Sequence, residues 1–184
     1  MIAYLGWGSL IWDPRSLPIR GEWKKDGPLL PIEFARISKD QRLTLILVDD
    51  ALTVPSLWCI ADVSSFEEGQ KKLAEREEIQ DDNVKYSIGW WRSSDNESHG
   101  RSAQIIGAWG REKNFQAVFW TNLKCNFAGV IGRMPSYVES VTHLKSLSGE
   151  GMEKAREYVR RAPKQIMTNY RRGFEGDLGW TWQE

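Results

Sequence analysis

Apolar and polar positions along this 184-residue chain follow two rhythms, one of strands in the first two thirds and one of helices that interrupt and follow them. The unbroken apolar start, Met1 to Leu5, predicts a short buried strand that stops at Gly6. Residues Trp12 to Pro31 hold four of the seven prolines together with Gly21 and Gly27, which predicts loop. Glu33 to Ser38 reads as a strand. Leu43, Leu45 and Leu47 interleave with Thr44, Ile46 and Val48, the pattern of a strand buried on both faces. Val54 to Val63 reads as another strand. The same pattern returns at Val84–Arg92, Ala103–Trp109 and Phe115–Thr121, with a polar loop from Ser93 to Arg101.

Helical spacing marks three further segments. One runs from Phe66 through Ile79, with Ser65 and Glu68 in the positions of a capping box. Ser136 to Leu147 repeats that signal, with Ser136 and Glu139 following Pro135. A third begins near Gly151 and places Met152, Ala155, Val159, Ala162, Ile166 and Tyr170 on one stripe. Pro163 falls inside it and must kink the helix or start a second one. Strands first and helices late imply an α+β fold, a mostly antiparallel small barrel or sheet with helices packed outside. One domain over residues 1–184 is expected, with a helical extension from about 135 to 184.

Composition narrows the chemistry. Lys plus Arg and Asp plus Glu both number 25, a balance that carries no footprint for nucleic acid or an anionic membrane. No apolar run approaches the roughly 20 residues of a membrane span, and the first residues lack the signature of a signal peptide. Cys59 and Cys125 are too few for a disulfide framework and read as reduced thiols of a cytoplasmic protein. His99 and His143 are the only histidines, so a zinc site or a histidine-based triad is hard to assemble and no metal is expected. The ten tryptophans read mostly as core.

One carboxylate stands out in SSFEEGQKKLAEREEI. At about 100° per residue, with Phe66 as zero, Leu73 falls near about −20°, Glu77 near about +20° and Glu75 near about 180°. Glu77 therefore shares the apolar side of its helix. A carboxylate there is unfavourable unless paired or neutralised, and burial favours the protonated form, the property that general acid/base work near pH 7 exploits. The plain alternative is an ion pair with Arg36, Arg42 or Arg92 that only holds the fold. Glu78 is the second candidate if the helix register shifts.

The N-terminal stretch GWGSLIWDP follows the first strand directly. Gly8 allows a positive φ or the close approach of another group, and successive loop N–H groups can cradle an anion. An ordinary turn has the same composition. No helix-bound GxGxxG is present, so a dinucleotide site is not indicated.

These two segments together resemble the γ-glutamylcyclotransferase-like superfamily. The string Gly8-Ser9-Leu10-Ile11-Trp12 is most similar to the glutathione-specific, ChaC-type branch, and Leu73-Ala74-Glu75-Arg76-Glu77 is similar to that branch's Leu-x-x-Arg-Glu helix. The resemblance covers the chain to about residue 80. Trp7 stands where the family has a loop tyrosine. The resemblance implies a cofactor-free reaction in which the α-amine of a γ-glutamyl compound attacks its own side-chain amide, closing 5-oxoproline and releasing an amine. It implies Glu77 as the catalytic acid/base and Trp7, Gly8, Ser9 and Leu10 as substrate-binding residues. The loop N–H groups would serve the oxyanion or the substrate carboxylate.

The expected partner is a small γ-glutamyl molecule, glutathione or a γ-glutamyl amine or peptide. A non-catalytic protein binding an amino acid-like ligand on the same fold is the alternative. Cys125 reads as a buried thiol rather than a nucleophile, and His99 and His143 as surface residues. Tyr170 reads as core, Arg171-Arg172 as an exposed basic helix end, and Trp90 and Trp91 as pointing to opposite strand faces.

Overall fold

The computed structural model describes residues 1–183. The strands, in chain order, are β1 (Ile2–Gly6), β2 (Ile19–Lys24), β3 (Leu29–Ile37), β4 (Leu43–Leu47), β5 (Thr53–Pro55), β6 (Leu57–Ala61), β7 (Ile88–Arg92), β8 (Ser98–His99), β9 (Ala117–Thr121), β10 (Asn126–Phe127) and β11 (Val130–Ile131). The helices are α1 (Phe66–Arg76), α2 (Asp81–Ser87), α3 (Ala103–Glu112), α4 (Tyr137–Ser146), α5 (Gly149–Arg161) and α6 (Asn169–Asp177). The fold is α+β. Among the described residues the strands form two open mixed sheets and no closed barrel. The larger sheet runs β2-β6-β1-β9-β7-β8, and the smaller runs β11-β10-β3-β4, with β5 against the start of β3. Pairs β1/β9 and β3/β10 are parallel, and the others antiparallel.

The pleat sorts the larger sheet into two faces. Ala3 and Leu5 of β1, Val118 and Trp120 of β9 and Trp91 of β7 turn into the main core. That core also takes Phe34 and Leu45 of the smaller sheet and Leu144, Val159 and Phe174 of the late helices. Ile2, Tyr4, Ala117 and Phe119 turn the other way, toward Leu73 and Ala74 of α1. Trp90 joins this second face and Trp91 the first, opposite sides as the alternation implies.

The termini of α1 decide where the candidate carboxylate goes. Ser65 caps the helix by accepting the Glu68 N–H, but the Glu68 carboxylate bonds Ser64 rather than Ser65, so only half of the expected box forms. The helix ends at Arg76, short of the expected Ile79. Glu78 takes a left-handed φ of 55°. Its N–H bonds the Glu75 carbonyl and the Ile79 N–H bonds the Ala74 carbonyl, the hydrogen-bond pattern of a Schellman turn. Glu77 is thereby fixed as the C-cap. The Ser136–Glu139 box of α4 is complete.

Several expectations are corrected. Ala103–Trp109 is helical, as part of α3. Its buried residues are Ile106, Gly107, Trp109 and Gly110, and a Cβ at either glycine would strike the Trp91 ring. The glycines that obscure the helical spacing are the seat for that tryptophan. Val84–Ser87 belongs to α2, and only Ile88–Arg92 is strand. The Trp12–Pro31 segment contains β2 and the start of β3. β2 alternates half-buried Ile19 and Trp23, which pack on the core, with Arg20, Glu22 and Lys24, and β6 holds it at the sheet edge. Gly21, with a left-handed φ of 77°, and the flanking prolines mask that alternation. Ser56 divides Val54–Val63 into two strands. Pro163 neither kinks α5 nor opens a helix. α5 ends at Arg161, and α6 starts at Asn169 with Thr168 as its cap. Arg171 is 0% exposed, in the first turn of α6. Its Nη1 donates to the Pro163 and Ile166 carbonyls.

Candidate functional site

The carboxyl ends of the parallel strands β1 and β9 open beside the end of α1, and a cavity of about 560 Å³ lies there. Trp7, Gly8, Ser9, Leu10 and Glu77, the residues singled out in sequence, all border it. Their side chains do different things. Trp7 is buried and its indole N–H donates to the Leu45 carbonyl of β4, at 3.2 Å. Leu10 is buried against the α1 side of the larger sheet. Ser9 keeps a partly exposed hydroxyl. Gly8 has no left-handed φ, so backbone freedom is not the reason for it. A Cβ at Gly8 would collide with the hydroxyl of Tyr158 from α5. The glycine exists for close approach, and the group that approaches is a side chain of the C-terminal helices. Among the described residues, the N–H groups of Gly8, Ser9 and Leu10 donate to no backbone carbonyl, which leaves them as candidate donors to a ligand.

The Glu77 side chain is 16% exposed. Its Oε1 accepts from Arg76 Nη1 at 2.6 Å. The partner is its chain neighbour, not Arg36, Arg42 or Arg92. Arg42 pairs with Asp40, and Arg92 with Asp95. Arg76 itself is 6% exposed and faces back across the cavity. Its Nη2 donates to the Ser9 hydroxyl at 3.3 Å and to the Asp13 carbonyl at 2.7 Å. One guanidinium therefore ties the carboxylate at the end of α1 to the loop after β1. Glu78 points to the more exposed side and pairs with Arg15 Nη1 at 2.7 Å.

Two further groups border the cavity, Tyr158, which the sequence did not mark as a site residue, and Arg36, which it marked only as a possible ion-pair partner of Glu77. The Tyr158 oxygen accepts the Leu45 N–H at 3.2 Å. Burial pushes its pKa up to about 12, with the Glu77 charge adding to the rise. The phenol stays protonated at neutral pH, so its proton is available to donate. Tyr158 lies three residues after Ala155 on the stripe of α5, which is the signal that could have found it. Arg36, on β3, borders the same cavity. Its Nη1 donates to the Lys124 carbonyl at 3.2 Å. Burial lowers its pKa and the Glu77 charge opposes the fall, so the two side chains sense each other.

The remaining candidates lie elsewhere. Cys59 and Cys125 are buried free thiols, both with pKa raised by burial, Cys59 to about 12. His99 is exposed on β8. His143 of α4 bonds the Gln41 carbonyl through Nε2. Tyr170 packs on Tyr137 and Phe174 and donates to the Pro135 carbonyl. Among the described residues no three or more His, Cys, Asp or Glu side chains converge on a metal-sized site, and no helix is long and apolar enough to cross a membrane. In comparisons with known proteins, no family model, no curated protein and no solved structure matches this chain.

Proposed function

We propose that the chain is a γ-glutamylcyclotransferase-type enzyme that closes the γ-glutamyl group of a small substrate into 5-oxoproline and releases the attached amine. The observation that carries the reading is the joint position of Glu77 and the Gly8-Ser9 loop on one cavity, linked through Arg76. Glu77 takes a proton from the substrate α-ammonium. The freed amine attacks the γ-carbonyl carbon of the same molecule. The bond to the leaving nitrogen then breaks as Glu77 returns that proton to it. Glu77 takes the second proton from the ring nitrogen, leaving the lactam N–H, and passes it to the released amine, which departs as an ammonium ion. Holding the chain folded makes the attack intramolecular, where effective molarity can reach about 10⁵ M or more. The loop N–H groups and the Tyr158 phenol are suitable donors for charge that develops on the carbonyl oxygen. No cofactor enters this chemistry.

A second reading, a non-catalytic binder of an amino acid-like ligand, draws on the Arg76 ion pair, which occupies one oxygen of the carboxylate. Incubation with glutathione, γ-glutamyl amino acids and γ-glutamyl amines separates the two. Release of 5-oxoproline from any of them is the expected result and rejects the binder. Binding without product across the panel overturns the enzymatic reading.

A further inference from the structure

Five cations border the cavity: Arg15, Arg36, Lys39, Arg42 and Arg76. Three of them are spent, on Glu78, Asp40 and Glu77 respectively. Among the described residues, Arg36 and Lys39 have no carboxylate within ion-pair distance. Arg36 is half-buried; the one carboxylate whose charge it feels, Glu77, is already paired with Arg76, and only its Nη1 has a protein acceptor, the Lys124 carbonyl. The guanidinium therefore keeps donors on the cavity side that a ligand carboxylate can use.

Depth decides which anion. Gly8 and Tyr158 are buried residues of the cavity lining. Arg36 is partly exposed and Lys39 exposed, so both lie nearer solvent than Gly8 and Tyr158. On the γ-glutamyl reading, the head that closes into a ring belongs beside Gly8 and Tyr158, with the scissile amide at Glu77. The released part then points toward solvent. A cavity of this volume holds a drug-sized ligand, more than a glutamyl head needs. We infer that Arg36 is a specificity-determining residue that binds a carboxylate on the leaving amine, so that γ-glutamyl amino acids or peptides are preferred over γ-glutamyl alkylamines. The guanidinium fork suits a carboxylate, with Nη1 already oriented by the Lys124 carbonyl.

The test compares γ-glutamylalanine with γ-glutamylethylamine, which differ only by the carboxylate. For the wild type, kcat/KM should favour the first by roughly 10- to 100-fold, the size expected of one charge-assisted hydrogen-bonded pair. In Arg36→Gln the ratio should fall to within about threefold of one, and Arg36→Lys should recover part of it. An Arg36→Gln protein that keeps the wild-type ratio overturns the inference, as does a wild type without the preference. The inference rests on the γ-glutamyl reading, but the two can fail separately. If neither compound is turned over, calorimetric binding of the same pair reads the preference directly. Its loss in Arg36→Gln then supports the Arg36 assignment without the reaction. Its persistence, or binding of neither compound, overturns it.

Discussion

The hydroxyl oxygen of Tyr158 rests against Gly8, so that α5, late in the chain, closes the loop that follows the first strand. The same oxygen accepts the Leu45 N–H, which binds the smaller sheet to the contact. Through Tyr158, α5 is therefore part of the cavity wall.

Filling the space at Gly8 should be costly. Gly8→Ala forces either the loop or the Tyr158 ring to move, and overpacking of this kind costs roughly 1–3 kcal/mol. Tyr158→Phe keeps the ring but leaves the buried Leu45 N–H without its acceptor, at about 1–3 kcal/mol. Denaturant titration of both variants checks these values. Wild-type stability in Gly8→Ala would show that the two residues are not in contact.

Arg76 should couple α1 to the loop energetically. Its three contacts, to Glu77, Ser9 and the Asp13 carbonyl, need a guanidinium fork that a lysine ammonium cannot reproduce. A double-mutant cycle of Arg76→Lys with Ser9→Ala should return an interaction term of at least about 0.5 kcal/mol in unfolding free energy. Additivity within about 0.3 kcal/mol would mean that the bridge contributes nothing.

Glu33 should make the fold sensitive to pH. This carboxylate is 3% exposed. It accepts from the Phe34 N–H, the Thr168 hydroxyl and the Tyr170 N–H at the start of α6. Burial raises its pKa above the ordinary 4.5, outweighing those hydrogen bonds. The folded state thus binds the proton more tightly than the unfolded chain. The associated stability is complete below about pH 4.5 and is lost as pH rises through the raised folded value. The difference in unfolding free energy between wild type and Glu33→Gln should therefore shrink from pH 4.5 upward. A difference that grows with pH would contradict the sign.

Much of this was legible in sequence, for identifiable reasons. Ser136 and Glu139 announce α4 because capping is a local exchange of hydrogen bonds. Helical angles alone put Glu77 on the Leu73 side, and the structure sets it on the cavity as the C-cap of α1. What escaped depends on distant partners. The glycines of α3 make sense only once Trp91 sits against them. β2 hides its short Ile19 and Trp23 face among prolines and glycines, and only its ladder with β6 makes a strand of it. Arg171 looked like a solvated helix end because the Pro163 and Ile166 carbonyls it satisfies belong to a connection that local pattern does not show. Arg76 stands in the Leu-x-x-Arg-Glu string with no role that the string itself assigns, because its reach to Ser9 crosses 67 positions of sequence.

The central claim is that the carboxylate at the end of α1 moves the proton. Release of 5-oxoproline from a γ-glutamyl substrate by wild type, Glu77→Gln and Glu78→Gln tests it most directly, with folding followed by circular dichroism. The account predicts that Glu77→Gln folds but loses at least about 100-fold in turnover, the usual scale of general acid/base catalysis, while Glu78→Gln stays active. Turnover by Glu77→Gln at the wild-type rate would contradict it.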